Sequence, residues 1–163
     1  MIAPAEVGQY FKRVILVGAG SGISPFLSYI QHQRLAGEGF DHLEVIFISR
    51  DCRQLSWLNP LINDLFECEN LKFKIHIFLT MTKKLDCLDS FLFWRGFKLH
   101  EFKSSLAENQ VYTNPLSNGP VQVKLGRPDF KELFDSAESL SKEKFQVFAC
   151  AAPVITKNIE TIC

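Results

Sequence analysis

Three glycines at alternate positions, in Gly18-Ala19-Gly20-Ser21-Gly22-Ile23-Ser24-Pro25, form the stretch of this 163-residue chain best suited to chemistry. Glycines at that spacing let a backbone turn tightly and approach a ligand with no Cβ in the way. Ser24 suits a helix N-cap and Pro25 the first helical position, where its missing N–H costs nothing. Ahead of them Val14-Ile15-Leu16-Val17 reads as a strand buried on both faces, the mark of a parallel sheet. Strand, glycine turn and helix N-terminus together aim free amides and the helix dipole at one spot, which makes an anion site. The ligand expected there is a nucleotide phosphate.

Three nucleotide classes share such a turn, and the neighbouring residues separate them. A P-loop needs Gly-Lys-Ser/Thr so that lysine reaches phosphate; here Gly22-Ile23-Ser24 follows the turn and the next lysine is Lys72. The dehydrogenase fingerprint is G-x-G-x-x-G with an acid ending the second strand for the ribose hydroxyls. This chain has G-x-G-x-G-x-x-P, and its second apolar run ends in Ser49-Arg50. A hydroxyl and a guanidinium suit a 2′-phosphate, which an acid would repel. Asp51 is expected to orient Arg50 or to cap the next helix. An S-adenosylmethionine methyltransferase is the rival for the glycines, but the acids it would use are replaced by Val17 and Ser49-Arg50. The plainer alternative for Arg50 is a solvated charge at a strand end. The cofactor expected is NADPH.

The elements that must position these residues alternate along the chain. A helix over about 25–35 should bury Phe26, Leu27, Ile30 and Leu35, with Gly37-Glu38-Gly39 ending it. Leu43–Ile48 and Phe73–Leu79 read as the second and third strands. Between them, Leu55, Leu58, Leu61, Ile62, Leu65 and Phe66 follow helical spacing, broken or kinked at Pro60. Val121–Leu125 is a short extended piece. A helix from Asp129 to about 140 should turn Phe130, Leu133, Phe134 and Ala137 inward. Phe145–Ala149 is a further strand, and a last helix runs over about 154–162. The order predicts an α/β fold: a Rossmann-like three-layer sandwich of about five parallel strands, ordered 3-2-1-4-5, with helices on both faces. Residues 81–120 read as a variable insertion within one domain spanning 1–163.

Composition excludes several classes. Hydrophobic residues make up 47% and charged ones 22%, with zero formal net charge, so neither disorder nor nucleic-acid binding is indicated. No apolar run reaches the roughly 20 residues that cross a bilayer, and the first residues lack the pattern of a secretory signal. Cys52, Cys68, Cys87, Cys150 and Cys163 are scattered without CxxC spacing, which speaks against a disulfide framework and a zinc site and for a reducing compartment. His32, His42, His76 and His100 show no metal-ligand spacing and read as surface or packing residues.

Taken with four further motifs, the glycine turn resembles the NADPH-binding half of the ferredoxin–NADP reductase superfamily, above all the branch of NADPH oxidases, dual oxidases and ferric reductases. The motifs are Phe47-Ile-Ser-Arg-Asp51 with Trp57 downstream, Ile75–Thr80, Gly126-Arg127-Pro128 with Asp129-Phe130, and Val147-Phe-Ala-Cys150 with Thr156–Glu160. The resemblance implies that residues 18–24 hold the pyrophosphate through backbone amides, and that Ser49 and Arg50 take the 2′-phosphate. Arg127 would add a second positive charge toward the adenosine phosphates, or only fix a loop. Cys150 would lie nearest hydride transfer, its alternative being a buried structural thiol; Ser24 would reach the nicotinamide side or serve only as a cap. Trp57 and Pro60 read as core and kink. Where the family has Cys-Gly-Pro, this chain has Cys150-Ala151-Ala152-Pro153, which puts methyl groups at the nicotinamide end. The resemblance also implies FAD on a neighbouring domain, a haem-bearing membrane domain, and a place on the cytosolic side of the membrane. Oxygen, giving superoxide or hydrogen peroxide, or ferric chelates would be the final acceptor. The other reading is a non-catalytic regulatory or docking module, with a regulatory protein contacting the 81–120 insertion.

Overall fold

β-Branched and aromatic runs form the strands, and the computed structural model describes residues 12–36, 41–50, 54, 55, 58, 62, 65, 71–80, 120–139 and 144–162. Strands β1 (Arg13–Ala19), β2 (His42–Ser49), β3 (Lys72–Leu79), β4 (Val121–Leu125) and β5 (Phe145–Cys150) make one parallel sheet. A 3-10 turn, Gly20–Ile23, joins β1 to helix α1 (Ser24–Ala36); α2 (Phe130–Ser139) lies between β4 and β5, and α3 (Pro153–Ile162) follows β5.

Both faces of the sheet are covered, as a three-layer α/β fold requires. On one face Leu16, Phe47 and Ile77 pack with Phe26, Tyr29 and Ile30 of α1 and with Leu55, Leu58, Ile62 and Leu65. On the other, Ile15, Val17, Ile46 and Phe78 meet all four residues predicted to face inward from α2, Phe130, Leu133, Phe134 and Ala137, and Ile159 of α3. Each large side chain so buried contributes about 1.5–3 kcal/mol. The expected Pro60 break, Trp57, Asp51 and the insertion (apart from Pro120) lie outside the described residues.

The strand order is 4-3-2-1-5, not the expected 3-2-1-4-5. Val121–Leu125 pairs with Ile75–Leu79 of β3, and β5 takes the place beside β1. The expected order would have put Val-Gln-Val-Lys-Leu in the sheet interior, covered on both faces. Gln122 is half-buried and Lys124 exposed, a pattern that only an edge strand accommodates without burying a charge.

Polar groups are buried at the amino end of the second face. Arg13 Nη2 donates to the Ala137 carbonyl at 2.8 Å, in the last turn of α2, and the guanidinium sits 5.9 Å from the Phe145 ring centroid. A cation there complements the helix dipole. His76 Nε2 pairs with Glu44 Oε1 at 2.7 Å, both side chains almost wholly buried. His76 is therefore a buried partner rather than a surface residue. His42, half-buried at the start of β2, titrates below its ordinary 6.5, chiefly through burial and then through Arg13, with Lys72 and Lys74 adding and Glu44 opposing.

Two outcomes are expected in urea denaturation. Glu44→Leu alone costs about 3 kcal/mol because it strands a buried imidazole, whereas Glu44→Leu with His76→Leu costs much less. A depressed histidine pKa means the unfolded chain binds more protons below pH 6.5, so stability is full above that pH and falls as pH drops through the window beneath it. His42→Gln flattens that fall.

Candidate functional site

Parallel pairing brings every predicted site residue that is described to the carboxyl edge of the sheet. Gly18 of β1 is in register with Cys150 of β5, Ala19 with Ile48 of β2, and Ser49 with Leu79 of β3, which in turn faces Leu125 of β4. Pairing continues past the strands: Thr80 N–H donates to the Ser49 carbonyl at 2.8 Å and Gly126 N–H to the Leu79 carbonyl at 2.9 Å. The tips of β2 and β4 are two strand spacings apart, about 10 Å. Arg50 and Arg127, both exposed, leave those tips on the same edge.

The glycine turn is held against β5. A Cβ on Gly22 would run into the Cys150 carbonyl oxygen and come within 3.4 Å of its Sγ, so only glycine lets the turn lie on the end of that strand. Gly20 has φ 54°, and nothing lies within 4 Å of where its Cβ would be. Its open side leaves room for a ligand against the backbone.

The helix start differs from the expectation. Ser24 is not a cap: its backbone is right-handed helical and its N–H donates to the Ser21 carbonyl. A 3-10 turn holding Gly20 and Gly22 precedes the helix, so α1 begins at Ser24 and Pro25 is its second residue. The earliest amides of a helix have no intrahelical acceptor; here they fall within Gly20-Ser21-Gly22-Ile23. The first turn of α1 carries no acidic residue to compete for them.

Ser49 is only 2% exposed. Its hydroxyl donates to Gln54 Oε1 at 2.7 Å, and its carbonyl also accepts from Thr80 Oγ1 at 3.1 Å. Ser49 therefore shapes the strand end rather than presenting a hydroxyl to a ligand. Gln54 and Thr80 carry no signal in the sequence that marks them as site residues; contacts across a strand end leave no periodic trace there. At the other end Cys150 is exposed, which sets aside the buried-thiol alternative. Ala151 is half-buried, and the Ala152 carbonyl accepts from Ile155 and Thr156 as α3 begins. Val154, 80% exposed, continues this uncharged end.

The edge thus has two chemically different ends, with amide donors between them: Arg50 beyond β2 and Arg127 beyond β4, where the Asp129 carboxylate accepts from the Glu132 N–H of α2, and uncharged residues 150–154 beyond β5. A dinucleotide with a phosphorylated adenosine and a flat neutral ring has the same polarity. Among the described residues no helix is long and apolar enough to cross a membrane.

Residues 11–163 match the model of the ferric reductase NAD binding domain family. The chain is similar to a superoxide-generating NADPH oxidase heavy chain of Dictyostelium discoideum, 28% identical over 99% of the chain and 22% of that protein. It is similar to dual oxidase 1 of Rattus norvegicus at 28% and of Homo sapiens at 27%, over 94% of the chain and 10% of each. The chain therefore spans about a fifth or less of the curated relatives it matches. A solved structure of the CS-b5R domains of human Ncb5or in its NAD+ form aligns with a TM-score of 0.36 and 15% identity over 93% of the chain and 39% of that one.

Replacing Gly22 by alanine forces the turn away from β5 and costs about 1–3 kcal/mol by overpacking. It also weakens dinucleotide binding. Gly20→Ala meets open space and carries only the left-handed penalty of about 1–2 kcal/mol. Urea melts and nucleotide titration of the two variants check the contrast.

Proposed function

The chain belongs to the ferric reductase NAD binding domain family, and on that premise we propose that it is the NADPH-holding domain of a flavin-dependent transmembrane oxidoreductase. One observation carries the reading: an open glycine turn and two exposed arginines, Arg50 and Arg127, share a single sheet edge. In this proposal the amides of Gly20 to Ile23 hold the pyrophosphate. Arg50 takes the 2′-phosphate, backed by Arg127 from two strands away. Cys150, Ala151 and Ala152 border the nicotinamide end. NADPH, when bound, supplies a hydride that FAD on a neighbouring domain accepts. This chain needs no acid–base pair for that; its residues bind, orient and neutralise charge.

The likeness to a superoxide-generating NADPH oxidase and to dual oxidases favours oxygen over ferric iron as the final acceptor. On this reading the domain sits on the cytosolic side of a membrane, beside the FAD-binding and haem-bearing parts of its parent protein. It also predicts that the isolated chain, lacking flavin, transfers no hydride.

Fluorescence titration with NADPH and NADH tests the proposal. NADPH binds the more tightly, and its affinity weakens as salt screens the 2′-phosphate. Arg50→Ala lowers NADPH affinity about ten- to a hundredfold, the worth of charge-assisted hydrogen bonds, and leaves NADH within about twofold. Equal affinity for the two nucleotides in the native chain would sink the reading.

A further inference from the structure

We propose that Gln54 is a positioning residue that sets the preference for a 2′-phosphorylated adenosine, by fixing the end of β2 from which Arg50 emerges. The inference rests on the NADPH reading above and deepens it. Ser49, the last residue of β2, is held on two sides. Thr80 grips its carbonyl through both N–H and hydroxyl, at 2.8 and 3.1 Å, and Gln54 accepts its hydroxyl proton at 2.7 Å. Ser49 is buried at 2% exposure, so its hydroxyl depends on partners supplied by the protein. Gln54 thus reaches back five residues to the last residue of β2.

Two physical consequences converge on the 2′-phosphate. An arginine side chain gives up about 2 kcal/mol of rotamer entropy when fully ordered. A fixed backbone exit limits the freedom that Arg50 must surrender to meet a dianion. With Oε1 committed to Ser49, the carboxamide turns its NH2 away from that hydroxyl. The carboxamide thus carries two N–H donors and no negative charge that would oppose an anion at the strand tip. Both effects favour an anion there.

Adenosine 2′,5′-bisphosphate and 5′-AMP, titrated calorimetrically into this chain, separate the possibilities because they engage the adenosine end alone. The ratio of their affinities reads the 2′-phosphate directly. Gln54→Ala lowers that ratio about three- to tenfold, the loss of roughly one hydrogen bond, with 5′-AMP affinity within about twofold of native. Gln54→Glu keeps an acceptor for Ser49 but places a negative charge in place of the donors, and lowers the ratio further. That variant also serves should Gln54→Ala prove too unstable to titrate. A merely structural role would weaken both ligands in parallel. That outcome, or an unchanged ratio in variants of a chain whose preference Arg50→Ala abolishes, overturns this inference and leaves the NADPH reading intact. No preference for the bisphosphate in the native chain overturns both.

Discussion

The missing side chain at Gly22 is the constraint on which the rest of the site depends. Because its Cα can rest on the Cys150 carbonyl, the 3-10 turn lies over the end of β5 and helix α1 sets off toward the first face of the sheet. A methyl group there would lever the turn off its neighbour, separating the amide donors from the uncharged end. The two ends of the edge are therefore set relative to each other by a backbone contact. In the proposed function, recognition by the Arg50 and Arg127 side chains is added at a distance fixed by strand spacing.

Much of this was legible in the residues. Phe130, Leu133, Phe134 and Ala137 sit at helical spacing and all four are buried; the runs around Val14, Leu43 and Phe73 became strands. Those signals are local, and local periodicity survives in a single sequence. What was not legible depends on partners distant in sequence. Nothing in Val121–Leu125 names β3 as its neighbour, although Gln122 and Lys124 argue against an interior place. Ser24 has the chemistry of a cap, yet the 3-10 turn over Gly20–Ile23 delivers the chain to Ser24 already helical, one residue before the expected start. Ser49 looked like a ligand for phosphate because its type and position fit; only the fold shows its hydroxyl turned to Gln54.

The two faces of the sheet are also built on different principles. The face beneath α1 buries mostly aliphatic and aromatic side chains, with the Tyr29 hydroxyl among them and Ser49 at its carboxyl end. The opposite face combines an apolar carboxyl half with Arg13, Glu44 and His76 at its amino half. Those three groups read as surface residues by type, yet alternation places them on the same buried face as Ile15, Ile46 and Phe78. They are tolerated because each has at least one partner: a helix-end carbonyl for Arg13, and each other for Glu44 and His76. The polar half anchors α2, and the apolar half leads toward the carboxyl edge that carries the glycine turn.

Placing β5 beside β1 has a consequence in time. The glycine turn is made near the start of this segment, but the strand it rests on follows about 130 residues later. At roughly 5–20 residues per second of synthesis, about 7–26 s pass between the emergence of the turn and that of its support. Loop closure of that span must be met before the contact is rewarded. Through that interval β1 lacks one of its two strand neighbours, and its apolar edge is open to mispairing. The last of the described strands in chain order is thus the one that completes the edge carrying the glycine turn.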